Sequence, residues 1–214
     1  MAFINPYINK ILENEKILSE NSEIYSKKGN WKEIFGNDND IVLEIGIGLG
    51  NFFSNITMRN PDKNHIGIEI RYKRLHRTFE KLSEKLVNNF MLIKDKGENI
   101  SQMFSLNELS QTYLFFPDPW ANKERQKKNR IVSETFLLDL HKITKTGGSF
   151  IFKTDHKGYF DDSLEIIAKT PWKIKVQSYD YENELDVFDK TLMTEFEEIF
   201  RKDKIKVNYI ELVK

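Results

Sequence analysis

Residues 41–50, IVLEIGIGLG, with NFFSNITMRN following at 51–60, decide the fold. The apolar run predicts a buried strand, the glycines a tight turn, and the periodic segment after Gly50 a helix starting near Asn51. Pro61-Asp62 ends that helix. Residues 65–70 (HIGIEI) predict a second buried strand, and 71–86 (RYKRLHRTFEKLSEKL) an amphipathic helix with Leu75, Phe79, Leu82 and Leu86 on one face. Residues 90–95 (FMLIKD) and 113–116 (YLFF) predict strands three and four. A helix at 133–144 turns Phe136, Leu137, Leu140 and Ile143 inward, and Gly147-Gly148 leads into a fifth strand at 149–155 (SFIFKTD). After a helix at 159–168, residues 173–179 and 205–212 alternate apolar and polar positions, as two antiparallel strands at one edge would. The expected fold class is α/β, a doubly wound, mostly parallel seven-stranded sheet. Before it lies an N-terminal arm, residues 1–30, read as loosely held with one helix, and a helical turn at 31–35.

The composition sets bounds. With 214 residues the chain can bury a good core, and 39% hydrophobic with 31% charged residues is ordinary for a soluble globular protein. No apolar run approaches the roughly 20 residues of a membrane span, and the N-terminus lacks a secretory pattern. There is no cysteine, which excludes disulfides, thiolate nucleophiles and cysteine-held metals. His65, His76, His141 and His156 do not pair at ligand spacing. A cytoplasmic protein, monomer or homodimer, without metal or membrane partner, is the expectation. Net charge is zero, yet residues 121–130 carry five positives against one negative, and 71–85 hold six cations. Residues 180–198 hold eight acids and only Lys190 as a positive. Separated faces of this kind can grip a polyanion locally.

Chemistry gathers at the carboxyl ends of the strands, where open α/β sheets bind ligands. Gly46, Gly48 and Gly50 let backbone pass close to a ligand, and the following helix offers free N–H groups. The spacing is G-x-G-x-G with a leading acid, not the G-x-G-x-x-G of dinucleotide sites. Glu44 would repel a pyrophosphate but suits a cationic ligand such as the amino group of S-adenosylmethionine. Glu69, ending the second strand, can take ribose hydroxyls of either a nicotinamide or a methionine cofactor. At the third strand's end, Asp95 and Lys96 could hold an adenine edge through a side chain and a backbone N–H; an exposed strand-end acid is the alternative.

After the fourth strand, Pro117-Asp118-Pro119-Trp120 fixes an acid and an aromatic in a stiff turn. Lys123, Arg125, Lys127, Lys128 and Arg130 follow, an excess of charge suited to phosphates. Trp120 either packs on a ligand or belongs to the core. Asp155 can accept from the N–H edge of guanine. Thr194-Glu195-Phe196-Glu197 reads equally as a helix start, with capping-box spacing.

LEIGIGLG, GIEI, FPDPW with its basic loop, FKTD and TEFE, in this order, resemble the bacterial tRNA (guanine-N(7)-)-methyltransferase family from about Trp31 to the C-terminus. The resemblance implies a class I methyltransferase domain over residues 31–214. The implied reaction moves the methyl of S-adenosylmethionine to N7 of the guanine at position 46 in the tRNA variable loop. It implies cofactor contacts at Glu44, Glu69, the 95–96 position and Asp118; the Gly loop is expected to join them, and Asp118, orienting the reacting groups, to be the catalytic residue. It implies substrate contacts at a lysine after PDPW, at Asp155, and at Thr194, Glu195, Phe196 and Glu197. Two positions depart from the family pattern. Lys96-Gly97 stands where an acid or amide and alanine are usual. The loop after Trp120 is one residue longer, so the substrate lysine falls on Lys123 or, without a gap, on Asn122; charge favours Lys123. The rivals are a methyltransferase acting on an exocyclic amine or a protein side chain, a silent RNA-binding module, and an NAD-dependent oxidoreductase.

Overall fold

The N-terminal segment is more structured than its polar composition suggests. It forms α1 (Tyr7–Leu12), β1 (Ile17–Leu18), α2 (Asn21–Ser26) and α3 (Trp31–Phe35), two helices and a strand within residues 1–30 where one helix was expected. Ile11, Ile17, Leu18 and Ile24 are all buried, and burial of that apolar surface is what ties the segment down. These assignments come from a computed structural model that describes residues 5–12, 14–185 and 191–214. Lys190 of the acidic stretch, with Asp186 and Asp189, lies outside them. Contacts divide the chain into two compact units, Met1–Phe104 and Ser105–Lys214.

In the first unit β2 (Ile41–Ile45), α4 (Asn51–Arg59), β3 (Asn64–Ile68), α5 (Tyr72–Ser83) and β4 (Phe90–Ile93) alternate as expected, and α6 (Ile100–Met103) closes the unit. The strands pair in parallel in the order β1-β4-β3-β2. Every residue of β2, β3 and β4 is buried, which is why these runs lack alternation. β1 is the strand that the sequence does not announce: Leu18 O accepts from Lys94 N, and Lys16 O from Leu92 N. Among the described residues it raises the strand count from the expected seven to eight. On α5, Leu75 and Leu82 are buried and Phe79 packs against the same cluster, but Leu86 is 85% exposed. The helix has ended by then, Leu86 turns left-handed (φ 55°), and Val87 takes the apolar position instead.

The second unit contains β5 (Leu109–Phe115), α7 (Glu134–Ile143), β6 (Thr144–Thr154), α8 (Lys157–Ile167), β7 (Lys173–Ser178), α9 (Tyr181–Glu184), α10 (Glu195–Lys202) and β8 (Asn208–Val213). Its strand order is β5-β6-β8-β7, with β5 and β6 parallel and both β8 pairings antiparallel. Edge strand β7 is largely exposed, whereas β8 is buried. All four expected residues of α7 face the core, and Ser133 caps it by accepting from Phe136 N.

Candidate active site

In the first unit the Gly loop is strapped to β3: Gly46 N and Ile47 N both donate to Ile68 O, at 2.8 and 3.2 Å. Gly46, Gly48 and Gly50 have φ of +76°, +58° and +78°, a region that side chains disfavour. A Cβ on Gly46 or Gly48 would meet only open space, so bare backbone faces outward there. Gly50 is different: a Cβ would lie 2.2 Å from Thr78 Oγ1, so this glycine lets α5 close on the loop. Lys81 Nζ, also on α5, donates to Leu49 O at 2.7 Å.

The strand-end acids of this unit are built in. Glu44 is buried at the foot of the loop. Glu69 Oε2 accepts from Gly48 N at 3.2 Å and faces Arg74 Nη1 at 3.5 Å; Oε1 accepts from Arg71 N at 3.0 Å. Glu69 and the Gly loop are therefore brought together. Asp95 is buried too, not a loose strand-end acid. Its Oδ1 accepts from Lys96 N (2.7 Å) and Asn99 Nδ2 (2.9 Å), and its Oδ2 from the Tyr25 hydroxyl (2.9 Å). Lys96 keeps its side chain in solvent. Tyr25 was not legible from the sequence, because nothing local ties α2 to a residue 70 positions away.

In the second unit the Asp118 turn continues the β5–β6 pairing, with Phe116 N donating to Lys153 O at 2.9 Å. Phe116 (φ 51°) and Trp120 (φ 46°) bracket Pro117-Asp118-Pro119 in left-handed conformations that bulky residues rarely take. Strain of this kind persists where surrounding contacts over-determine it and marks functional turns. Asp118 is exposed, and Trp120 is 40% exposed, so it is not a core tryptophan. The basic loop winds into a 3-10 helix, Glu124–Asn129. Asn122, Lys123, Arg125 and Lys128 are exposed. Lys127 sits between Glu124 (3.1 Å) and Asp162 (3.2 Å), and these bonds raise its pKa. Arg130 is only 8% exposed and points inward.

Behind the turn lies a buried ion pair. Lys153 Nζ donates to Glu197 Oε1 at 2.6 Å, flanked by the rings of Phe115 (4.7 Å) and Tyr181 (4.2 Å). Burial pulls the Lys153 pKa down while Glu197 pushes it back up. Glu197 Oε2 accepts from Thr194 N, and Thr194 Oγ accepts from Glu197 N, a complete capping box for α10. Thr194 and Glu197 thus both face inward. Phe196 faces outward at 51% exposure, stacked on Phe200 and 6.1 Å from Phe116. Asp155 is exposed at the end of β6. Among the described residues no group of three or more His, Cys, Asp or Glu could hold a metal, and no helix is long and apolar enough to cross a membrane.

This geometry has relatives. The family model "Methyltransf_4: Putative methyltransferase" matches residues 38–209. The chain is 38% identical to a bifunctional glycosyltransferase/methyltransferase of Fusobacterium nucleatum over 98% of its own length, but spans only 33% of that protein. It is 35% identical to a tRNA (guanine-N(7)-)-methyltransferase of Lachnoclostridium phytofermentans, over 89% of this chain and 86% of that one. Among solved structures, the 16S rRNA methyltransferase KamB superposes with a TM-score of 0.61 over 90% of this chain and 92% of that chain; at 14% identity it speaks for the class I methyltransferase fold alone. The sequence matches carry the assignment, and the chain belongs to this methyltransferase family.

Proposed function

We propose that this chain transfers the methyl group of S-adenosylmethionine to N7 of the variable-loop guanine of tRNA, in the cytoplasm. The observation that carries the reading is the turn after β5. It presents an exposed acid, Asp118, followed by the exposed cations Lys123, Arg125 and Lys128, in a chain 35% identical to a tRNA (guanine-N(7)-)-methyltransferase.

The residues of the first unit fit the methyl donor. Open space beside Gly46 and Gly48 admits a ligand against bare backbone, and Glu44 favours a cationic amino group. Glu69, oriented by two backbone N–H groups, keeps lone pairs for ribose hydroxyls, and Asp95 is oriented for the adenine side. The donor supplies an electrophilic methyl carbon. Guanine N7 carries an in-plane lone pair and no proton, so the protein needs no strong base. Its task is to hold the base in line, where correct placement supplies much of the rate. Asp118 orients the reacting groups and favours the positive charge that develops on the purine. Asp155 accepts from the N–H edge of guanine. Thr194 and Glu197 act through α10, whose start they fix, while Glu195 and Phe196 lie on the substrate side, Phe196 as a face for stacking. Lys123, Arg125 and Lys128 take phosphates.

The test is incubation of the chain with methyl-labelled S-adenosylmethionine and unmodified tRNA, followed by cleavage at N7-methylated guanine. Label at the variable-loop guanine, lost when that base is changed to adenine, is the expected result. Label on an exocyclic amine, or on no tRNA at all, would overturn the reading.

A further inference from the structure

Arg130 closes a run of cations, yet it is the buried one. Its Nε donates to Pro119 O at 2.6 Å, its Nη1 to Asp162 Oδ2 at 2.6 Å, and its guanidinium lies 4.5 Å over the Tyr159 ring. Tyr159 in turn is fixed, its hydroxyl accepting from Val132 N at 3.1 Å. A planar fork that meets a carbonyl, a carboxylate and a ring at once does what a lysine cannot. The carbonyl it holds belongs to the residue directly after Asp118, in a turn whose two ends are strained.

We infer that Arg130 is a positioning residue that braces the Asp118 turn against Asp162 and Tyr159 of α8, and not a phosphate contact. The inference rests on the tRNA-methylation reading for its activity assay, but the brace itself is a property of the second unit. The phosphate grip is left to the exposed cations of the loop. Asp162 matters because it separates the idea from the alternative. If Arg130 gripped RNA, removing the Asp162 charge would release it and leave kcat intact. If Arg130 braces the turn, removing that charge slackens the turn and slows the reaction.

The experiment compares Arg130→Lys, Asp162→Asn and the double variant in the full chain. Steady-state methylation of tRNA, the salt dependence of tRNA binding, and acrylamide quenching of Trp120 fluorescence are measured for each. Trp31 and Trp172 are buried, so quenching reports on the turn. Each single variant should lose about 10- to 100-fold in kcat, as small misplacements at a reacting centre do. In Arg130→Lys, KM for tRNA and the salt slope should not change, and in both single variants Trp120 should become easier to quench. The double variant should be little worse than the worse single one, because both break one brace. A raised KM with a shallower salt slope in Arg130→Lys, an unchanged kcat in Asp162→Asn, or unchanged quenching in both would overturn the inference. If the wild-type chain methylates no tRNA, the functional reading fails, while the quenching result still decides on the brace.

Discussion

The two units hold their acids by different means. In the first, Glu69 and Asp95 are buried and tied by backbone N–H groups and close neighbours, so that the strand ends themselves hold them in place. In the second, Asp118 is exposed, and order reaches its turn from behind, through charged side chains: Arg130 with Asp162, and Lys153 with Glu197. Backbone-held acids suit a ligand of constant shape. A turn held by side-chain ion pairs is separable from its support, and single substitutions should show this.

The largest effect belongs to the buried pair. Glu197→Ala removes the carboxylate 2.6 Å from the buried Lys153 ammonium and half of the capping box; denaturant unfolding should show a loss of about 3–5 kcal/mol. Replacing both partners, Lys153→Met with Glu197→Leu, should restore much of it, since an apolar pair needs no compensation. A double variant as unstable as Glu197→Ala would mean that the cap, not the charge pair, carries the effect. Next comes Asp118→Ala. With the acid exposed, its loss should leave stability within about 0.5 kcal/mol. It should lower kcat about 100- to 1,000-fold, the scale of losing one group that meets developing charge. Near-normal turnover would remove Asp118 from the reaction.

The first unit has a buried ionisable group of its own. His65 in β3 lies edge-on to Phe53, and burial lowers its pKa to about 4. Below about pH 6.5 the unfolded chain takes up a proton there that the folded chain refuses. Stability is therefore complete above pH 6.5 and falls as the pH drops toward 4, by up to about 3 kcal/mol. Hydrogen exchange in β2 to β4 should report the loss, and a His65→Gln variant should flatten it. Equal pH slopes for the two proteins would show that His65 is not the cause.

What could be read from the residues alone follows the same division. Periodicity and glycine spacing announced β2 to β6, α4, α5 and α7, and the strand-end acids, because those signals are local. The capping box at Thr194 and Glu197 was also legible, as one of two readings of TEFE. Other features were not. β1 has two residues and no period to detect. Leu86 matches the apolar face of α5, but the helix stops short of it. Arg130 looks like its neighbours in the basic loop, and only the fold brings Pro119, Asp162 and Tyr159 around it.

Tyr25 is the finest test of the comparison, because at Asp95 the first unit adds a distant side chain to its local bonds. Its hydroxyl donates to Asp95 Oδ2, and burial followed by that carboxylate keeps the phenol protonated by raising its pKa. The two other bonds to Asp95 fall on Oδ1 and are local. Tyr25→Phe therefore deletes one of three restraints and leaves the ring in place. A net hydrogen bond of this kind is worth about 0.5–1.5 kcal/mol, so S-adenosylmethionine should bind about 2- to 10-fold more weakly by calorimetry, with kcat on tRNA unchanged. An affinity equal to the wild type would show that the local bonds alone orient Asp95. The N-terminal segment would then be packing beside the site and no part of it. A fall in kcat at saturating donor would instead mean that Asp95 reaches beyond the adenine side, and that the backbone-held half is less self-sufficient than its geometry implies.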